Sequence, residues 1–180
     1  MIIFEDVLTK DEMMSNIFKY TLEYDDAIMK IQTQYKAADQ VGSVDIGCGN
    51  EFGGGEADAG VDEEPAEKVI DVVYNAGLQE YHMDKKEFMS FLKAYFAKIV
   101  KYLEDNGKAD RVPTFKKGAT DFTKFIVKKY DEIENIYVGK SHSEDDDEIK
   151  GGIGITYWED ESAKGPVLYL FKDGLKEVKC

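Results

Sequence analysis

The chain has 180 residues, 43% of them hydrophobic, with 37 acidic against 23 basic side chains and a formal charge of −14. That length and apolar share suit one domain, 1–180, with a real core, whereas the charge excludes a general nucleic-acid binder, because a phosphate backbone is itself densely negative. No apolar run approaches the ~18 residues that span a bilayer, and the start Met1-Ile2-Ile3-Phe4-Glu5-Asp6 lacks the basic and long apolar regions of a signal peptide.

The first eight residues are rich in Ile, Phe and Val and read as a buried strand. Thr9-Lys10-Asp11-Glu12 reads as a turn, with Thr9 or Asp11 bonding nearby backbone. Residues 17–35 alternate apolar and polar around Ile28-Met29-Lys30-Ile31 and read as strand. The stretch 39–67 differs: nine acids, seven glycines and no Lys or Arg. It has too little apolar surface to offset its ordering entropy and is expected to be a long flexible acidic loop. Val69-Ile70-Asp71-Val72-Val73-Tyr74 is β-branched and reads as a strand returning to the core.

The period then changes. Asp84 is a good helix cap, with Glu87 three residues on. Phe88, Phe91, Leu92, Tyr95, Phe96, Ile99, Val100 and Leu103 follow on one helical face, and Gly107 is a natural stop. At 100° per residue, Lys86, Lys93 and Lys101 fall on the opposite face. A second helix begins near Pro113, with Phe115, Ala119, Phe122 and Ile126 as its stripe. Lys117, Lys124 and Lys128 lie on its far side, with Asp121 among them. Gly118 costs this helix about 1 kcal/mol against alanine. It either admits a close neighbour or is simply tolerated. The two helices form an antiparallel hairpin. Ile133–Val138, Gly152–Trp158 and Pro166–Phe171 return to strand. Strands, hairpin, strands make the class α+β.

Charge is also segregated. Asp84 to Tyr130 holds twelve Lys and Arg against six acids, a net +6 inside a −14 chain. A basic module on an acidic body favours acidic partners. The motifs for chemistry are poor by comparison. Gly47-Cys48-Gly49 lacks the third glycine and the βαβ setting of a dinucleotide site, and Gly139-Lys140-Ser141 lacks the earlier glycine and the following helix of a phosphate loop. Neither Cys48 nor Cys180 sits in a CxxC, so no zinc or redox motif is built, and a reduced cytoplasmic protein is the expectation. His82 and His142 have no nucleophile beside them in sequence, so no triad is assembled and no enzyme is expected. The acidic runs 56–67 and 144–148 resemble calcium loops in composition only, lacking the glycine of a rigid cage. They leave weak Ca2+ sites at most, with Asp145, Asp146 and Asp147 as candidates, to which Asn50, outside both runs, is added. No cofactor is required.

Met1-Ile2-Ile3-Phe4-Glu5-Asp6 with Asp11-Glu12-Met13 and Ser15, Ile46-Gly47-Cys48-Gly49-Asn50, Val69 to Asn75, Leu78-Gln79-Glu80 and Phe171 to Cys180 run in one order along the chain. Together they resemble the translationally controlled tumour protein (TCTP) family. The resemblance implies a β-tent core, similar to that of Rab-exchange proteins and methionine sulfoxide reductase B. That core carries an inserted helical hairpin (84–130) and a flexible acidic loop (39–67).

The resemblance further implies a non-enzymatic, cytoplasmic, calcium-binding regulator with many protein partners. These are tubulin or microtubules through the hairpin, apoptosis regulators, and a small GTPase such as Rheb or a translation elongation factor. It places Glu12 and Leu78 at partner contacts, and the hairpin lysines Lys86, Lys93, Lys101, Lys117, Lys124 and Lys128 become the docking face for acidic surfaces. Lys140 stands where the family usually has Glu, and Glu51 and Phe52 replace its small residues after Asn50. The protein is expected to be mainly monomeric, with Cys180 as the route to a disulfide-linked dimer.

Overall fold

The computed structural model describes residues 1–38, 67–143, 145–146 and 148–179. The acidic stretch expected to be a flexible loop therefore lies outside the described residues, apart from Glu67. In chain order come β1 (Ile2–Asp6), β2 (Glu12–Ser15), β3 (Tyr20–Glu23), β4 (Ile28–Gln32), β5 (Tyr35–Ala37), β6 (Lys68–Ile70), α1 (Asp71–Ala76) and β7 (Gln79–Tyr81). They are followed by α2 (Lys85–Asp105), α3 (Val112–Lys128), β8 (Ile133–Val138), β9 (Ile153–Tyr157), β10 (Val167–Phe171) and β11 (Leu175–Lys179).

The strands pair antiparallel, in a six-stranded sheet of order β3-β4-β10-β9-β8-β7, a three-stranded sheet β11-β1-β2, and the pair β5-β6. Strand β10 sits centrally and is buried on both faces, which is why it reads as an unbroken apolar run instead of an alternation. Its odd positions, Val167, Tyr169 and Phe171, join the core beneath the helices. Leu168 and Leu170 join a second, smaller core with Phe4, Met13 and Met14 of the three-stranded sheet. The α+β class and the helical hairpin stand as expected.

Two local readings are corrected. Residues 17–35 are not one strand: β3 and β4 fold back on each other through Tyr24-Asp25-Asp26, all at left-handed φ of 55°, 56° and 64°. Arg111, between α2 and α3, holds that turn in place. Its Nε and Nη2 donate to the Asp173 carboxylate at 2.8 and 3.1 Å, and Nη2 also donates to the Asp25 carbonyl at 2.7 Å.

The β-branched run 69–74 likewise divides, ending as strand at Ile70 and continuing as helix from Asp71. The buried Asp71 carboxylate accepts from the amides of Val72 and Gln34, at 2.8 and 3.1 Å, so it anchors the first turn to the chain after β4. Gly77, at φ 71°, closes the helix. Tertiary hydrogen bonds thus override the strand propensity of Val72 and Val73.

Candidate partner-docking surface

The hairpin forms as its periodicity dictates. Asp84 caps α2, its Oδ1 accepting from the Glu87 amide at 2.8 Å. Phe88, Leu92, Tyr95, Ile99 and Leu103 of α2, with Phe115, Ala119, Phe122 and Ile126 of α3, bury one continuous apolar layer against the six-stranded sheet. With both helices lying on the sheet, their lysine faces look outward together. Lys86, Lys93, Lys101, Lys117, Lys124 and Lys128 are all exposed. Among the described residues none of the six forms an ion pair.

The six are not equivalent. Lys93, Lys124 and Lys128 border a furrow of about 540 Å³ between the helices, floored by Met89, Leu92, Phe96 and Val127 with Thr120 and Thr123. The furrow continues past Phe96 and Thr120 to Ala97, Val100 and Lys116. Lys86 and Lys98 line a different hollow, beside Glu87 and Glu148. Lys98, Lys116, Met89 and Val127 were not singled out by the sequence, whereas Leu92, Phe96 and Val100 were placed on the apolar face. The only signal for the rest was the flank of each stripe, Met89 on one helix and Thr120, Thr123 and Val127 on the other.

Glu12 lies half-buried on β2, an edge strand of the small sheet. Its neighbour Asp11 is buried, and Asp11 Oδ2 accepts from the Ser141 hydroxyl at 2.6 Å and the Ser141 amide at 3.3 Å. A side chain at Gly139 would collide with Asp11, so glycine permits this close approach. Lys140 is exposed, and a Cβ placed at Gly77 would touch its stem at 3.8 Å. Three separate segments, around Asp11–Glu12, Gly77–Leu78 and Gly139–Ser141, therefore meet at one edge. Leu78 itself is buried at 8% exposure in the smaller core, which leaves Gln79 and Glu80 as the exposed part of its segment.

Of the calcium candidates, two are described, Asp145 and Asp146. Asn50 and Asp147 lie outside the described residues, as do Cys48 and Cys180, and Asp145 is exposed. Asp146 Oδ2 accepts from the Ser143 amide at 3.0 Å, and its carboxylate stands 3.7 Å from Lys150 Nζ and 3.9 Å from His142 Nδ1. The Ser143 amide above all, aided by the two nearby basic groups, holds its pKa below the ordinary value. Among the described residues no group of three or more His, Cys, Asp or Glu side chains is placed to hold a metal ion. No helix among them is long and apolar enough to cross a membrane.

Comparison with known proteins agrees with this architecture. Residues 1–176 match the profile of the family described as translationally controlled tumour protein. A translationally-controlled tumor protein homolog from Dictyostelium discoideum is 32% identical over 179 residues, 98% of each chain. The solved structure of the translationally controlled tumor-associated protein of Schizosaccharomyces pombe superposes with a TM-score of 0.75 at 29% identity, covering 100% of both chains. That of the Caenorhabditis elegans protein superposes at 0.62 and 23% identity, over 100% of this chain and 99% of that one, a likeness of fold. The chain belongs to the translationally controlled tumour protein family.

Proposed function

We propose that the protein is a non-enzymatic cytoplasmic regulator that works by docking protein partners, and that its hairpin lysines engage acidic surfaces such as tubulin tails. The observation that carries this reading is the set of six exposed lysines on the outward faces of α2 and α3, free of ion pairs among the described residues. Long-range attraction from such a face speeds encounter with an acidic partner and weakens with salt. Cosedimentation with microtubules across a salt series tests it. The bound fraction should fall as salt rises, and changing all six lysines to Glu should weaken binding by about tenfold or more, roughly 1.4 kcal/mol. Binding that ignores both changes sinks the electrostatic reading.

Growth-promoting and anti-apoptotic roles would follow through further partners of this kind. Calcium is left outside the proposal, because Asp146, the best placed of its described candidates, is already engaged by Ser143 and flanked by Lys150 and His142.

A second reading concerns a small GTPase of the Rheb type or a translation elongation factor. It is favoured by the edge where Glu12 stands beside the Asp11–Ser141 link. Glu12→Val is expected to remove any acceleration of nucleotide release. Absence of acceleration by the unsubstituted protein ends that reading.

A further inference from the structure

We infer that the furrow between α2 and α3 is a helix-in-groove site for an acidic amphipathic segment of a partner protein. The segment seats apolar side chains on Met89, Phe96 and Val127 and turns its carboxylates to Lys93, Lys124 and Lys128. This rests on the docking role proposed for the hairpin lysines and states what kind of segment they receive.

Charge alone does not account for the furrow. A disordered acidic tail needs only lysines, yet the lysines here border a floor in which Met89 is exposed and Phe96 and Val127 are half-buried. Met89 is 49% exposed, an unusual position for a large thioether in so charged a chain. The floor is also held in place from below. The Phe96 ring packs edge-on against Phe115 at 5.7 Å and Phe171 at 5.3 Å, so an incoming side chain meets an ordered surface and loses little to its rearrangement.

Length and sign both suit a helix. From Met89 to Val100 the furrow runs along about 17 Å of α2, which matches three turns of a partner helix. Among the described residues every charged side chain lining it is a lysine: Lys93, Lys116, Lys124 and Lys128. Asp121 shares the outward face of α3 with Lys124 and Lys128 but does not line the furrow. Asp121 acts on Tyr24, whose phenol is pushed up first by burial and then by the charges of Glu23 and Asp121. Glu87 lines the neighbouring hollow. The furrow is therefore complementary to a segment with acids flanking an apolar stripe.

The test titrates the full chain with two synthetic peptides of about 16 residues: a helical one with Leu at i, i+4, i+7 and i+11 among Glu, and polyglutamate of the same charge. The amphipathic peptide is expected to bind at least about tenfold more tightly and to stay bound at about 0.5 M salt, where polyglutamate is released. Met89→Ser, at an exposed position that leaves the core untouched, should weaken the amphipathic peptide about fivefold and leave polyglutamate within about twofold. Val127→Thr, a near-isosteric change, should act in the same direction.

Equal affinity for the two peptides, or indifference to both substitutions, overturns the groove while leaving electrostatic docking standing. Failure of polyglutamate and microtubules alike overturns the docking role as well. Capture of anionic vesicles in place of the amphipathic peptide also overturns the inference.

Discussion

Gly118→Ala is expected to destabilise the protein by about 2 kcal/mol or more, although helix propensity alone favours alanine here by about 1 kcal/mol. The two effects oppose each other, and packing decides. A Cβ at position 118 would run into the carbonyl oxygen of Tyr24 and lie 2.8 Å from the Ala27 Cβ. Neither neighbour is the far end of a flexible side chain.

Tyr24 opens the turn of three left-handed residues, its carbonyl accepts from the Ala27 amide at 3.0 Å, and the next carbonyl is held by Arg111. Retreat of this turn would break those bonds and disturb Ala27, which is fully buried. Retreat of α3 would instead open the Phe115–Phe122–Ile126 layer. Urea unfolding of the two proteins decides the point. A higher midpoint for Gly118→Ala at unchanged slope would show that propensity wins and that the contact yields.

The same glycine marks the limit of what could be read along the chain. The 3–4 spacing of Phe88 to Leu103 and of Phe115 to Ile126 was enough to place both helices, because an amphipathic stripe is a local signal and its burial follows from it. Asp84 and Pro113 placed their starts for the same reason. That the lysines lie opposite the stripes was legible too. That three of them share one furrow was not, since the furrow depends on how the two helices lie side by side.

The turn Tyr24-Asp25-Asp26 carries no glycine and hides inside an alternating strand pattern, so its left-handed backbone had no signature. Val69 to Tyr74 misled in the opposite way. Its β-branched residues favour strand, but the buried Asp71 carboxylate sets the start of a helix through the adjacent Val72 amide and the distant Gln34 amide. Asp6 reads as part of the first strand and Asp11 as an ordinary turn residue, and their burial is supplied by the chain around Gly139 to Gly152.

Asp6→Ala should be among the most damaging single changes, at about 3–5 kcal/mol, a large part of the 5–15 kcal/mol that holds a typical domain. Asp6 is 3% exposed and spans 146 positions of sequence. Its Oδ1 accepts from the amides of Leu8 at 2.7 Å and Thr9 at 3.3 Å, and its Oδ2 from the buried amide of Gly152 at 2.6 Å. Alanine leaves all three donors without this partner and unties the β1–β2 turn from the start of β9. Chemical unfolding should show the loss, and a change below about 1 kcal/mol would mean that water replaces the carboxylate.

Asp6→Asn separates charge from shape. Burial, the largest influence, raises the Asp6 pKa above its ordinary 3.8 against the lowering effect of its three backbone donors, and the nearby Asp11 charge adds to the rise. The folded protein therefore takes up a proton at Asp6 more readily than the unfolded chain. The stability that this group contributes is fully present below about pH 3.8 and declines as pH rises through the elevated folded value. Asparagine cannot titrate, so the stability of the parent over Asp6→Asn should be largest in acid and shrink toward neutrality. Urea midpoints for the pair, taken from acid to neutral pH, measure that difference directly, since the other carboxylates titrate in both proteins. A gap that widens with rising pH would mean that the three amide donors outweigh burial and that Asp6 is held as a stabilised anion.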